Sequence, residues 1–320
     1  MANVSTVPVE RGGWDAFKAF VSDAIRNQWP LLYRGHADST WKLTSSWHRL
    51  QQETPLSTYW DLLHELEDQV GTWTGRRWDL TKDTETAAFV AYLQHHGFPT
   101  PLLDWTLSPY IAAYFAFAAM DDFAPTSDDV SVFVFAHSVY QAEWEQRYDF
   151  STDVEHVSVL RSASLGNQRQ LLHQGSYTYS TVLDQGDFLV RRGVEYTEKH
   201  SEVRSYVMKY DIPAAEKPRA MRDLRLMGIS AMSLFPGAEG VCRYLKDSYL
   251  ASQKIGMTPT EKRNALTALL RDHAARSSVQ PNLGLGSTPP PREDTDYLPV
   301  TEPYPDAATS RPSLWDYPRD

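Results

Sequence analysis

A single cysteine, Cys242, stands in 320 residues. An intrachain disulfide is excluded, as is a zinc site built on several thiolates, and the scarcity fits a reducing compartment. No H-E-x-x-H or similar spacing gathers histidines and carboxylates, so no metal ligands are expected. No G-x-S-x-G turn raises a nucleophilic serine, which leaves a hydrolase triad of Ser108, His95 and Asp104 as a weak reading. No apolar run approaches the ~20 residues of a membrane span; the longest extends only from Tyr110 to Met120. The opening residues, MANVSTVPVERGGW, lack a basic start and an apolar stretch, so no secretory signal is read there and the cytoplasm is the expected location. Positive charge is also scarce: 31 Lys and Arg against 41 Asp and Glu give a net charge of -10. Such a chain is repelled by nucleic acid unless its cations are concentrated locally. The adjacent pairs Arg76-Arg77 and Arg191-Arg192 are too few for a basic face and read as solvated surface.

What is present suffices for a sizeable core: 42% of residues are hydrophobic and 12% aromatic, enough for one large domain or two small ones. Trp14, Phe17, Phe20, Val21 and Ile25 recur at helical spacing and predict an amphipathic helix within an N-terminal extension, residues 1–29. Leu31-Leu32-Tyr33 predicts a short strand with Arg34 and Gly35 at its end. Helices are predicted over 56–70 and 84–96, the second capped by Asp83 or Thr84 and stopped at Gly97. Phe98-Pro99-Thr100-Pro101 must then be extended. Ser108-Pro109 opens a helix apolar nearly all round, which implies burial. Strands follow at 130–136, 175–181 and 203–210, and helices at 213–227 and 259–275. The expected division is a core domain over 30–250, a C-terminal helical segment over 251–278, and a proline-rich tail over 279–320 without hydrophobic period. The fold class is α+β, with mixed, largely antiparallel sheets flanked by helices.

Four segments carry the chemistry: YRGHADSTWKLTSSWHR (33–49), HHGFPTPLLDWTLSPYIAAYFAF (95–117), NQRQLLHQGSYTY (167–179) and SLFPGAEGVCRYL (233–245). Arg34, beside a glycine, suits a grip on phosphate or carboxylate through its planar fork. The alternative is an ion pair with Asp104 that pins two segments together. Asp104, Trp105, Thr106 and Ser108 precede the apolar helix, either as caps for its free N–H groups or as a polar rim for an anion. His95 and His96 end a helix, where imidazolium is favoured. Gln174 either fixes a sugar hydroxyl or ties down a loop, and Glu239 reads as a cap partner.

Together these segments resemble the FRG family, named for an aromatic-Arg-Gly motif, over roughly residues 30–245. The most specific stretch runs from His96-Gly97 through Leu102-Leu103-Asp104-Trp105-Thr106 to Ser108-Pro109 and Tyr114-Phe115-Ala116. Pro101 departs from the pattern, which leads one to expect a basic residue there. The first two segments are also similar to the ADP-ribosyltransferase arrangement, with Arg34 on an early strand, Thr106-Leu107-Ser108 on a second element, and Ala113 to Phe117 on the following helix. The resemblance implies an ADP-ribosyltransferase-like fold. It implies NAD as co-substrate, catalytic roles for Arg34, Asp104, Thr106 and Gln174, and NAD contacts from Tyr33, Arg34, Gly35, His95, Trp105 and Ser108. The implied activity is ADP-ribosyl transfer to a macromolecular acceptor, or NAD glycohydrolysis, in the manner of a toxin or defence effector. The late glutamate of the transferase pattern finds no clean match in Gln174 or Glu239. The alternative is a non-catalytic module that binds a nucleotide-like ligand or a protein.

Overall fold

A computed structural model describes residues 6–26, 30–50, 56–123, 125–149, 154–160 and 168–254. These residues belong to the first of two units, Met1–Gly256. The helix expected over 259–275 and the proline-rich tail lie outside the described residues.

The chain opens with β1 (Val9–Arg11), α1 (Trp14–Arg26), β2 (Leu32–His36), α2 (Ser46–Leu50), α3 (Leu56–Thr74) and α4 (Asp83–His95). It continues with β3 (Leu102–Thr106), α5 (Pro109–Ala119), β4 (Asp129–Phe135), α6 (His137–Glu143), β5 (Val157–Leu160) and α7 (Gln168–Leu172). Then come β6 (Gly175–Ser180), α8 (Gln185–His200), β7 (Val207–Pro213), a short 3-10 turn at Ala214–Glu216, α9 (Lys217–Leu226), α10 (Ala231–Leu234) and α11 (Ala238–Lys254). The strands form one mixed sheet in the order β1-β7-β4-β2-β3-β6-β5. Among the described residues only β1 and β7 run parallel; the other neighbouring pairs are antiparallel. The fold is therefore α+β, as the mixture of patterns predicts.

Alternation along β4 shows how the sheet is covered. Val130, Val132 and Val134 enter one apolar cluster, with Trp14, Phe17, Ala113, Ala116 and Phe117 of α1 and α5. Phe133 and Phe135 enter another, with Leu103, Trp105, Tyr140 and Leu189. Successive strand side chains point to opposite faces, so β4 is buried on both. A third cluster joins α3 and α4 to Leu102, Tyr177 and Tyr179 of β3 and β6. The helix predicted from Tyr110 to Met120 is α5: Ala112, Ala113, Ala116 and Phe117 are at most 1% exposed, and it packs on β2 and β4. Small side chains on α5 let the backbones come close. A Cβ on Gly35 would stand 1.9 Å from the Ala112 carbonyl oxygen and 2.7 Å from the Ala116 nitrogen.

Several boundaries differ from expectation. β2 does not end at Tyr33 but runs on through Arg34 and Gly35 to His36, because Arg34 and Gly35 pair with Phe133 and Val132 of β4. The residue before α4 is Lys82, with no side-chain cap; Glu85 reaches back instead to the Asp79 N–H at 2.8 Å. The stop at Gly97 holds, with φ of 85°. Val203 is exposed and the last strand begins only at Val207. Ile25 is exposed and lies off the buried stripe of α1.

Candidate functional site

The seam between β2 and β3 positions the site. β2 pairs with β4 along five residues, and β3 pairs with β6 along five. Between β2 and β3 the register holds only Tyr33 opposite Thr106. Beyond that pair the strands part, and a cavity of about 890 Å³ lies at the opening. That volume falls within the range of small-molecule sites. The cavity is lined by Gln94 and His95 of α4, Phe115 and Ala119 of α5, and segments around Arg34, Trp41, Asp104 and His173.

Arg34 spans the parting. Its Nη1 donates to the Asp104 carbonyl at 2.6 Å and its Nε to His36 Nε2 at 3.0 Å. The Asp104 carboxylate is 4.0 Å away and 64% exposed. Arg34 is thus oriented by neutral acceptors more than by the carboxylate, and the buried ion pair weighed as an alternative is replaced by a partly open one. Burial, then the charge of Arg34, hold His36 neutral, with its pKa down to about 3. A neutral His36 accepting at Nε2 carries its proton on Nδ1. Asp104 Oδ1 accepts from Gln94 Nε2 at 2.7 Å. The same amide accepts, through its oxygen, from the Thr100 hydroxyl. Thr100 in turn ties α2 down: its N–H donates to Ser46 Oγ at 3.0 Å and its carbonyl accepts from the Trp47 N–H. The direction of Asp104 is therefore set through Gln94 by the loop that also seats α2.

Four cations line the cavity: Arg34, Lys42, Arg49 and Arg169. Lys42 is paired with Asp184 at 3.1 Å and Asp187 at 3.3 Å. Arg169 is paired with Glu239, which also holds Arg243. Arg49 donates through Nη1 to the Thr44 carbonyl at 2.7 Å, and among the described residues it has no carboxylate partner. Among the described residues Asp104 is the one acidic residue in the lining. The local charge is positive in a chain whose net charge is -10.

The other expected site residues distribute as follows. Tyr33 lines the cavity but is 4% exposed and belongs to the α5 cluster; burial raises its pKa to about 12. Gly35 lines the cavity while admitting the α5 backbone. His95 lies in the last turn of α4 and lines the cavity; burial, then Arg169, lower its pKa. His173, not singled out from the sequence, lines it as well, with its ring against Phe115 at 4.9 Å. Trp105 is 2% exposed and spends its indole N–H on Thr178 at 2.9 Å. Thr106 donates to the His173 carbonyl at 2.7 Å and accepts from the Ser108 N–H at 3.0 Å. Ser108 caps α5, accepting from the Ile111 N–H at 3.3 Å, and is not in the lining. Gln174 is not in the lining either; it sits in a left-handed turn with φ of 49°, and its carbonyl accepts from the Leu107 N–H. Asp104, Trp105 and Thr106 form strand β3 rather than a rim on the helix end.

Sequence reasoning passed over Arg49, Lys42 and Trp41, although all three lie in the first quoted segment. Nothing in their spacing distinguishes them: one short helix and a loop bring them beside Arg34. Among the described residues there is no group of three or more His, Cys, Asp or Glu placed to hold a metal ion, and no helix is long and apolar enough to cross a membrane.

A split sheet with an arginine across the split, preceded by Tyr33 and followed by Gly35, is the setting of the motif residues. Residues 30–124 match the family model of the FRG domain. The chain carries an FRG domain over these residues. No curated protein and no solved structure was found to match it.

Proposed function

We propose that the cleft binds NAD and supports ADP-ribosyl chemistry, either transfer to a macromolecular acceptor or hydrolysis. The observation that carries this reading is a pair of arginines in a cavity of nucleotide size: Arg49, without a carboxylate partner among the described residues, and Arg34, whose one carboxylate, Asp104, is 4.0 Å away and largely exposed. A guanidinium fork is the side chain best matched to phosphate oxygens. Trp41, Phe123 and Tyr177 in the same lining offer faces for a base or a nicotinamide ring.

In the proposed reaction the bond between the ribose C1′ and the nicotinamide nitrogen breaks, and nicotinamide leaves with the bonding pair. The oxocarbenium-like centre that develops is cationic, as in glycoside hydrolysis. Asp104, held in place by Gln94, is the carboxylate available to stabilise it. An acceptor nucleophile or water then bonds to C1′ and gives up its proton.

A second reading, a binding module without chemistry, is favoured by a separate observation. The hydroxyls of Thr106 and Ser108 are committed to the fold, and Gln174 is outside the lining. Incubation of the purified protein with NAD, with and without cell extract, separates the two. Nicotinamide release or ADP-ribose adducts support catalysis; calorimetric binding of NAD without turnover supports the module. Absence of binding at millimolar NAD removes the NAD reading and leaves a binding module for another ligand or a protein.

A further inference from the structure

The cavity's four cations are not equivalent. Lys42 and Arg169 are already held by carboxylates. Arg34 and Arg49 are each steadied by a backbone carbonyl, at Asp104 and Thr44, and the only carboxylate near either among the described residues, that of Asp104, is 4.0 Å from Arg34 and exposed to solvent. A carbonyl orients a guanidinium without neutralising it. Of the five N–H groups an arginine carries, Arg34 uses two and Arg49 one among the described residues. The two charges are also close enough to oppose each other: burial disfavours the charged form of Arg34, Asp104 offsets part of that, and Arg49 works against the charged form. Two like charges left facing one cavity with free donors are balanced by a ligand bearing at least two negative charges on adjacent groups.

The aromatic neighbours are placed at the mouth. Trp41 and Phe123 meet edge to face at 5.6 Å and 87°, and both remain exposed, at 38% and 56%. Exposed rings beside a cationic groove are a stacking platform for a base.

We propose that Arg49 is the second arm of a diphosphate clamp with Arg34, and that Trp41 and Phe123 receive the base, so that the cleft selects nucleoside diphosphates and their conjugates over monophosphates. The inference rests on the NAD reading of the same cleft and narrows it to a substrate class. Arg49 is a binding residue, contributed by the seating of α2 on Thr100 rather than by the Tyr33-Arg34-Gly35 motif. The diphosphate bridges the two guanidinium groups, relieves their mutual repulsion, and leaves the Asp104 side of the cavity to the sugar.

The test is calorimetric titration of the full chain with AMP, ADP and inorganic pyrophosphate, alongside a nicotinamide-release assay with NAD. Wild type should bind ADP at least about tenfold more tightly than AMP, the scale of one added charge-assisted contact. Arg49→Gln should weaken ADP by about tenfold and AMP by less than about threefold. Trp41→Ala should weaken ADP while leaving pyrophosphate within about twofold. Should Arg49→Gln melt earlier than wild type, Arg49→Lys, which keeps the charge and loses the fork, replaces it with the same expected ranking. Equal affinity of wild type for AMP and ADP overturns the clamp, as does an Arg49 variant that loses both equally or neither. Nicotinamide release with an unchanged KM for NAD in Arg49→Gln overturns the clamp and keeps the NAD reading. The expected ADP and AMP ranking without nicotinamide release keeps the clamp and removes the catalytic reading.

Discussion

Replacing Gly35 by alanine adds one methyl group between β2 and α5. The added carbon would lie 1.9 Å from the Ala112 carbonyl oxygen, 2.7 Å from the Ala116 nitrogen and 2.9 Å from the Ala112 carbonyl carbon. An ordinary carbon–oxygen contact is about 3.3 Å or longer, so strand and helix must separate by roughly 1.4 Å. All three obstructing atoms are backbone, and no side chain can rotate to make room. Separation would also disturb the five-residue pairing of β2 with β4 and loosen packing around Ala113, Ala116 and Phe117, each fully buried. Overpacking ordinarily costs about 1–3 kcal/mol and occasionally more; with rigid helix backbone as the obstacle we expect about 3 kcal/mol or above. For a domain of this size that lowers the melting temperature by roughly 6–12 °C. Thermal and urea unfolding of Gly35→Ala without ligand measure it. A variant that melts within about 2 °C of wild type would refute the packing argument. If that variant also failed to bind nucleotide, the glycine would be serving a ligand's approach instead.

Arg34→Lys should weaken NAD or ADP binding by roughly 30-fold or more with little change in melting temperature, because the charge stays while the planar two-pronged grip is lost; undiminished calorimetric affinity would mean the clamp is misassigned. Gln174→Glu should leave any NAD turnover unaltered, since Gln174 does not line the cavity; a rise in nicotinamide release would place that side chain at the ribose. Ala116→Asp should abolish soluble folded protein, as an unpaired charge at a fully buried helix position costs several kcal/mol; circular dichroism matching wild type would contradict it. Acid should destabilise the fold through His36, His48 and His156, which burial holds neutral with pKa values of about 3, 4 and 4. Between those values and the ordinary 6.5 the unfolded chain binds protons that the folded chain does not, so stability is present above pH 6.5 and falls below it. Each contributes a loss of about 2 kcal/mol by pH 5; an unchanged urea midpoint between pH 7.5 and pH 5 would show that these histidines are not buried neutral.

The elements legible in the sequence were those whose periodicity is strong. Trp14, Phe17 and Val21 mark α1, and the run from Tyr110 marks α5, because each presents apolar residues at the spacing a buried helix face requires. α8 escaped notice since Gln185–His200 is mostly polar, with burial confined to Gln185, Gly186, Phe188, Leu189, Val190 and Gly193. Its start is nevertheless a proper cap, with Asp184 accepting from Gly186 at 2.9 Å and Asp187 at 3.4 Å. β5 is four residues long, too short for alternation to be read. At the site, Arg34 and Asp104 stood out as charges within unusual motifs, and the structure brings both to one cavity. Their relation was not legible: whether an arginine meets a carboxylate or a backbone carbonyl of the neighbouring strand depends on register across the sheet. Arg49 was illegible for a different reason. Its position depends on Ser46 and Trp47 binding Thr100, which lies 54 residues beyond Ser46 in the sequence.

Net charge says little about the cleft because electrostatic sign is local. At physiological ionic strength charges separated by more than about 8 Å are largely screened, so the surplus of carboxylates over the whole chain says little about one cavity. What decides it is which cations have acidic partners within a few ångströms. Asp184 and Asp187 answer Lys42, and Glu239 answers Arg169. For Arg34 and Arg49 the nearest oriented acceptors are carbonyl oxygens, which position a guanidinium and leave its charge intact; the Asp104 carboxylate, 4.0 Å from Arg34 and largely exposed, offsets only part of the positive charge. Carboxylates in those two places would have made the same side chains into internal ion pairs and closed the seam. The parting of β2 from β3 after a single residue pair matters for the same reason. A continuous ladder would have used the Asp104 carbonyl for an inter-strand N–H bond, and Arg34 would have lost the acceptor that now aims it across the opening.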